Sequence, residues 1–546
     1  MKKMTVCLTL VLAMLLSCVA CAGIPAAAES AALADTSADS DPASVGADYG
    51  LAKDCRDGNI LHCFNWTLSQ IKAELPNIAK AGFTSVQTSP LQPHDGGRQW
   101  YWLYQPTNFT IGNEIGSYND LKSLCSEADK YGIKVIVDVV ANHLAGGNNG
   151  SWGGIDGSLR KSEYFHNMGP LEENSKNRYD ITHKNIGMPD LNSEHTDIQN
   201  KVYAMAVSLK NAGVDGIRWD AAKHIGLPSE GCAFWSKMAG LGLYQYGEIL
   251  DAPAGSSAPA VNNALMQEYA SYIGVTDEPF SGDITQSFRD RKIDKSSGNW
   301  LENGVSADRL VYWGESHDTY CNDGWTNSLD QNVIDRAYAV LGARAGSQAL
   351  YLSRPYEKSH TAINYAVKGS THYTSAEVAA VNRFHNAMAG TDEQYAASSG
   401  CYVVCRGGGA VIVSLKSQDV DVSVSNAGSL APAGTYTDEV SGSTWTVTAS
   451  SIKGHIGSTG IAVIYDVNKI GQKNTIIGDS DLSGSVTVVD ATAIQRHLAS
   501  LQTLTPAALA AADSDRDGSV TVLDATAIQR YLVGLKDKTS HVGEYL

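Results

Sequence analysis

The chain has 546 residues, too many for one ordinary hydrophobic core, and its 43% hydrophobic and 18% charged content describes folded domains, not a disordered polymer. Lysine and arginine number 41 against 58 aspartate and glutamate, a net charge of −17. That balance argues against nucleic acid or an anionic membrane as the main partner, since both select positive charge, and it leaves neutral substrates and cations open.

Residues 1–28 read as a secretory signal peptide. Lys2 and Lys3 precede an apolar run from Val6 to Leu16, and Ala20 and Ala22 have the small-residue shape of a cleavage site. An uncleaved anchor, or a lipidated form built on the loose box Leu15-Leu16-Ser17-Cys18, is the alternative. Residues 29–50, rich in Ala, Ser and Asp without periodicity, read as a flexible leader. Three of the ten cysteines lie in the signal, and the seven that remain are an odd number, so at least one has no internal partner. Cys401 and Cys405 fall on one face of a strand-like run, more than ~7 Å apart and beyond disulfide reach. Beyond the signal segment the sequence has no CxxC pair, so a cysteine zinc site is not expected.

From residue 51 short apolar runs alternate with amphipathic stretches. Ile60–Trp66, Phe83–Thr88, Ile133–Val139, Val214–Trp219, Leu243–Tyr246, Tyr272–Val275, Leu310–Trp313 and Ala349–Leu352 are strand candidates, with helices predicted at Leu68–Ala81, Tyr118–Tyr131 and Ile198–Ala212. Alternating β and α units imply a parallel sheet, and eight strands imply an α/β (β/α)₈ barrel over residues 51–385. An open doubly wound sheet is the runner-up, but no GxGxxG follows the first strand. The Gly- and Asn-rich stretch after the third strand is too long for a structureless loop, so a small inserted domain is expected at about 143–190. Alternating β-type runs over 386–467 predict a C-terminal antiparallel β-sandwich, and 468–477 a linker. Residues 478–538 hold an internal repeat: Asp479–Leu498 and Asp513–Leu532 are offset by 34 residues and differ at four of twenty positions.

Functional side chains of such barrels gather at the carboxyl ends of the strands. On the fourth strand, alternation turns Gly216, Arg218 and Asp220 one way and Ile217 and Trp219 the other, setting a guanidinium beside a carboxylate. The arginine is expected to keep Asp220 ionised. By themselves these residues fit a buried ion pair as well as a nucleophile. Asp138–His143 ends the third strand, Glu248 the fifth, and Glu315-Ser-His-Asp318 the seventh. Several carboxylates at one mouth with two histidines and an arginine suit retaining glycoside hydrolysis, which needs a nucleophile and an acid ~5–5.5 Å apart. A further carboxylate raises the acid's pKa by like-charge repulsion.

Asp138-Val-Val-Ala-Asn-His143, Gly216-Ile-Arg-Trp-Asp-Ala-Ala-Lys-His224, Gly247-Glu-Ile and Ser316-His-Asp318 resemble, in order and spacing, the four sequence signatures of the α-amylase family of glycoside hydrolases. Gln87-Thr-Ser-Pro90, Trp100-Tyr-Trp-Leu-Tyr-Gln-Pro106 and Val381-Asn-Arg-Phe-His-Asn-Ala-Met-Ala-Gly390 extend the resemblance to secreted bacterial members, over roughly residues 51–467. The resemblance implies Asp220 as nucleophile, Glu248 as general acid/base and Asp318 as stabiliser of the transition state. It implies sugar contacts from Trp100, Tyr104, Gln105, Asp138, His143, Arg218, Lys223, His224 and His317. It also implies one structural calcium held by Asn142, Asp190 and the His224 carbonyl, hard oxygen donors of the kind calcium takes, with a further carbonyl near Tyr179–Thr182. Met188-Pro-Asp-Leu-Asn192 is similar to the version found in relatives acting on branched glucans or cyclodextrins, which leaves bond preference open. Ser316 stands where chloride-activated animal relatives carry Asn, so no chloride dependence is expected.

Each repeat follows a calcium-loop pattern. Asp479, Asp481, Ser483, Thr487 and Asp490 occupy positions one, three, five, nine and twelve, with Gly484 at six; Asp513, Asp515, Asp517, Thr521 and Asp524 match them around Gly518. A helix is expected after each loop, from Ala491 and Ala525, and none before it. The pair resembles dockerins, duplicated modules that bind two calcium ions and plug secreted glycosidases into cohesin-bearing scaffolds. Val488, Val489, Val522 and Leu523 stand where dockerins vary to choose a cohesin. The function implied is a secreted, endo-acting α-amylase on α-1,4 links of starch, docked onto an extracellular complex. A neopullulanase-like or transglycosylating enzyme is the near alternative, and a non-catalytic starch-binding subunit the distant one.

Overall fold

The computed structural model describes residues 49–546 apart from 147–151, 153, 251–252, 255–258, 294–300, 417–418, 473 and 536. The expected signal peptide, and all of the leader but its last two residues, lie outside that set.

Eight parallel strands close into a barrel in sequence order: β1 (Ile60–Cys63), β2 (Ser85–Thr88), β3 (Lys134–Val140), β4 (Gly216–Asp220), β5 (Tyr244–Gly247), β6 (Gly274–Thr276), β7 (Leu310–Trp313) and β8 (Gln348–Leu352), which pairs back onto β1. The register fixes which residues meet across neighbouring strands. Asp138 on β3 pairs level with Arg218 on β4, and Arg218 with Tyr246 on β5. Strands wrapped by helices are buried on both faces, which is why they read as near-continuous apolar runs and are easily found in the sequence.

The helices that wrap the barrel are α1 (Leu68–Lys80), α2 (Tyr118–Asp129), α3 (Thr196–Asn211), α4 (Phe234–Ala239), α5 (Pro259–Tyr272), α6 (Glu278–Asp290), α7 (Gln331–Gly342) and α8 (Ala376–Ala387). Their starts are chemically marked. Thr67 with Gln70, and Ser117 with Asp120, form reciprocal side-chain and backbone caps on α1 and α2.

Between β3 and α3 the chain makes a long excursion of short turns and one six-residue helix, Arg178–His183. Isolated bridges His143↔Asp190, Phe165↔Leu191 and Pro170↔Asn185 tie it together. The first of these closes the excursion at its neck.

Downstream lie two four-stranded antiparallel sheets. One has the order β9 (Glu393–Ser398), β10 (Cys401–Arg406), β11 (Gly409–Ser414), β16 (Ile461–Tyr465); the other β12 (Val420–Ser425), β15 (Ser451–Ile456), β14 (Thr444–Val447), β13 (Gly434–Thr437). Trp445 is fully buried between them. Arg336 of α7 donates to the carbonyls of Ser414 and Leu415, fastening the sheets to the barrel. All seven described cysteines are free and buried, in keeping with a fold that does not depend on disulfides.

The repeated module contains α9 (Val488–Leu498), α10 (Pro506–Ala512) and α11 (Val522–Leu532), packed on Ile494, Ala525, Ile528 and Val542. Three expectations change here. The helices after the loops begin at Val488 and Val522, three residues earlier than Ala491 and Ala525, because Thr487 and Thr521 cap them. A helix does precede the second loop: α10, started by Thr505 and Pro506 and sustained by alanine. Residues 475–477 and 543–546, outside the expected bounds of 478–538, pair with each other. Ile477 N–H donates to the Glu544 carbonyl (2.7 Å) and Leu546 N–H to the Thr475 carbonyl (2.9 Å). Among the described residues no helix is long and apolar enough to cross a membrane.

Candidate active site

Arg218 is the hub of the barrel mouth. Its Nη1 donates to both carboxylate oxygens of Asp138 (2.8 and 2.9 Å) and to Asp220 Oδ1 (2.9 Å), while Nη2 lies 2.9 Å from Glu248 Oε2. The predicted alternation on β4 holds: Trp219 points away and donates Nε1–H to Gln245 Oε1 (3.0 Å). Glu248 is fixed a second time by the Ala221 N–H (2.9 Å). Ala221 has φ of 49°, the left-handed region that a non-glycine residue enters only when its surroundings impose it. The strand end is thus twisted so that its first free amide faces the Glu248 carboxylate.

Asp318 opens a π-helical turn over Asp318–Asn322, shares a hydrogen bond with Glu248 and lies 3.4 Å from His317 Nε2. Tyr104 donates to Asp138 Oδ2 (3.0 Å) and stacks on His317, with ring centroids 5.1 Å apart. His143 Nε2 meets the Tyr104 carbonyl at 3.0 Å. Trp100 is buried, with edge contacts to Tyr104 and His317, and so is a wall behind the cluster, not an exposed platform. Gln105 follows it at the end of the same turn and is half-buried. Lys223 N–H donates to the Glu248 carbonyl (3.1 Å), and the ring of His224 is bonded to the Ile181 carbonyl (2.8 Å).

Charge in this cluster is set by burial first. Burial lifts Asp220 and Asp318 well above the ordinary carboxylate range, and Asp138 to about 6, against the pull of Arg218. Arg218 does pull Asp220 toward its charged form, as expected, but one guanidinium shared among three carboxylates works against their burial and mutual repulsion, which push the other way. Glu248 goes the other way. Burial pushes it up, but Arg218, the Ala221 amide and the hydrogen bond with Asp318 more than offset this and hold it low. Asp318 and Glu248 thus share a hydrogen bond within which their tendencies to hold a proton are opposed. Burial also keeps the histidines neutral, pushing His317 to about 3 and both His143 and His224 to about 4.

At the neck of the insertion, Leu191 N–H donates to the Asn142 carbonyl (2.9 Å), and the Asn142 side chain hydrogen-bonds Asp190. Asp190 Oδ1 is buried with no hydrogen-bond partner. The His224 ring is hydrogen-bonded to the carbonyl of Ile181, on the short helix of the insertion. An orphaned carboxylate oxygen among amide and carbonyl oxygens fits calcium.

In the repeated module Asp479, Asp481 and Asp490 converge, as do Asp513, Asp515 and Asp524. Gly484 and Gly518 sit at φ of 90° and 86°, where the loop turns. Thr487 and Thr521 bond the position-twelve carboxylates (3.1 and 3.2 Å) as well as capping the helices. Ser483 is tied to the first cluster: its N–H donates to Asp479 Oδ1 (2.9 Å) and Asp481 Oδ1 (3.0 Å), and its hydroxyl lies 3.4 Å from Asp479 Oδ1. The Asp517 N–H makes the matching bond to Asp513 Oδ1 (3.1 Å), while the Asp517 carboxylate accepts from Ser519 N–H (2.8 Å). Val488, Val489, Val522 and Leu523 are 55–68% exposed.

Residues 38–241 match the family model for the α-amylase catalytic domain, and residues 477–533 that for the type I dockerin domain. The chain carries an α-amylase catalytic domain and a type I dockerin. An α-amylase from Clostridium acetobutylicum is 33% identical over 443 residues, which is 77% of this chain and 55% of that protein. One from Butyrivibrio fibrisolvens is 29% identical over 511 residues, 80% and 50% of the two chains. The chain thus spans about half the length of these relatives. Among solved structures, the maltohexaose complex of an α-amylase I mutant from Eisenia fetida superposes with a TM-score of 0.59 at 17% identity, covering 76% of this chain and 97% of that one. The Geobacillus thermoleovorans α-amylase complexed with acarbose gives 0.58 at 18%, covering 75% and 98%. These likenesses establish the fold.

Two residues of the α-amylase domain escape motif reasoning. His62, buried on β1, packs edge-on against His317 (5.4 Å), and its inward phase on the strand is the signal that could have found it. Arg178 donates to the Lys223 carbonyl (2.7 Å) and to both Glu230 oxygens, clamping the insertion onto the loop after β4. Conversely, Glu315 looks like a mouth carboxylate in sequence but is a bidentate partner of Arg354.

Replacing Arg218 by Met should cost about 3–5 kcal/mol of stability, because it leaves buried carboxylates uncompensated. The sign with pH follows from their raised values. A carboxylate such as Asp138, at about 6 when folded, stabilises fully below about 4, its ordinary value, and loses that contribution as pH rises through 6. Without Arg218 these values climb further, so denaturant melts should show a larger deficit for Arg218→Met at pH 8 than at pH 5.

Proposed function

We propose that the protein is an extracellular, endo-acting α-amylase that hydrolyses α-1,4-glucosidic bonds of starch with retention of configuration and is held on a cohesin-bearing scaffold by its dockerin. The observation that carries this reading is the sharing of one guanidinium by Asp220 and Glu248, each 2.9 Å from a different terminal nitrogen of Arg218. Two carboxylates held by one fork face the same part of the mouth, the arrangement a double displacement requires.

Glucan hydroxyls entering the mouth donate to Asp318 and favour its charged form, returning the shared proton to Glu248. Asp220 attacks the anomeric carbon in its ionised form, which Arg218 favours; the proton that burial favours in the free protein leaves to solvent before this step. Glu248 gives its proton to the glycosidic oxygen as that bond breaks, leaving a glycosyl ester on Asp220. Glu248, now charged, takes a proton from water, which attacks the same carbon and releases Asp220. Tyr104, His143 and His317 bound the reacting sugar, with Asp138, Trp100 and Gln105 shaping the wall. Lys223 and His224 hold the chain on the reducing side.

Calcium at Asn142, Asp190 and the His224 carbonyl would join the insertion to the strand end that carries Asp220. Two further ions would order the dockerin loops and with them the apolar faces around Val488, Val489, Val522 and Leu523 that meet the cohesin. Ser316, which exchanges hydrogen bonds with Thr319, supports independence from chloride.

Asp220→Asn should lower kcat on starch about 10⁴-fold with the circular dichroism spectrum unchanged; undiminished hydrolysis would defeat the mechanism and favour a purely binding role. Products from starch and pullulan then separate the α-amylase from a neopullulanase-like enzyme. Independently, calcium chelation should abolish cohesin binding measured by calorimetry, and Asp220→Asn should leave it intact.

A further inference from the structure

Away from the sugar-binding mouth, the insertion brings two histidines and a glutamate together. His166 precedes the Asn167 turn, His183 ends the helix Arg178–His183, and Glu194 lies just before α3. One ligand atom from each falls within 4.8 Å of the other two. His166 Nε2 is 2.8 Å from Glu194 Oε2, and the two imidazole centroids are 4.3 Å apart.

The other ring nitrogens are already committed. His166 Nδ1 lies 2.5 Å from Asp190 Oδ2, and His183 Nδ1 lies 3.0 Å from the Tyr179 carbonyl and 2.8 Å from Thr182 Oγ1. Histidines that bind metal give one nitrogen to the ion and fix the ring by donating the other N–H to a carboxylate or a backbone carbonyl. Here one ring has the carboxylate and the other the carbonyl. Bonds of ~2.0–2.1 Å in tetrahedral geometry set ligand atoms roughly 3.3 Å apart, so the His166–Glu194 pair need open by only about half an ångström.

We propose that His166, His183 and Glu194 form a binding site for a divalent transition-metal cation of the zinc type, with three protein ligands and a fourth position open to water. Imidazole nitrogens select such an ion over calcium, which takes oxygen. The site is therefore distinct from the oxygen set of Asn142, Asp190 and His224, although Asp190 serves both. Its Oδ2 orients His166, and its orphaned Oδ1 is left for the harder ion. Binding expels the proton that otherwise lies between His166 Nε2 and Glu194. It also cross-links three separate parts of a segment held elsewhere by isolated bridges.

Without an ion the same residues make a metal-free clamp, with a protonated His166 between Asp190 and Glu194. Titration of the full chain with Zn²⁺ in saturating Ca²⁺, and with Co²⁺ as a visible probe, separates the two. The expected result is one zinc per chain with calcium content unchanged, the d–d absorption of a tetrahedral cobalt ion, and at least a ~10–100-fold loss of affinity in His183→Gln and Glu194→Gln. No zinc uptake, uptake that displaces calcium, or equal affinity in parent and variants overturns the proposal. The cobalt spectrum of the unsubstituted chain decides the matter even if a variant misfolds, and none of these readouts depends on the proposed hydrolytic activity.

Discussion

One guanidinium organises the catalytic end of the barrel. Arg218 faces Asp138, Asp220 and Glu248 at 2.8–2.9 Å, and all four groups are buried or nearly so. A cluster with more negative than positive charge cannot be fully ionised away from water, so protons must stay in it. That constraint couples the protonation of Asp220, Glu248 and Asp318, so that it responds to whatever donors a ligand brings. The barrel supplies the rigidity this needs, because β3, β4 and β5 are in register at Asp138, Arg218 and Tyr246.

The insertion depends on the same strand end. Three residues beyond Asp220 the Lys223 carbonyl takes the Arg178 side chain, and the His224 ring takes the Ile181 carbonyl. A cation bridging Asn142, Asp190 and the loop after β4 would therefore act on Asp220 through only a few bonds. The dockerin follows separate rules. Its loops bring three carboxylates together each time, and its exposed Val and Leu residues stand just before the twelfth loop position, so acidic cluster and apolar face are joined by a single capped helix start.

The barrel was legible because its strands are buried on both faces and read as apolar blocks. Strands β9, β13 and β15 were not, because Ser, Thr, Gly and Lys dilute their alternation and tertiary pairing alone recruits them. Arg218 and Asp220 were legible as neighbours through strand periodicity, but their charge was not. Periodicity reports which face a side chain shares, whereas protonation depends on burial and on Asp138, Glu248 and Asp318, which come from other strands and turns. Glu315 shows the same limit: it ends β7 as a catalytic carboxylate would, yet Arg354, 39 residues later, claims both its oxygens. The His166–His183–Glu194 group was invisible for a similar reason, since its members lie on separate turns with no regular spacing.

The central claim is that Asp220 and Glu248, held on one fork, carry out two successive displacements at the same carbon. Proton NMR of the first products released from a maltooligosaccharide, taken before mutarotation, tests it directly. The account predicts the α-anomer at the new reducing end; the β-anomer would contradict it and require a water between the two carboxylates.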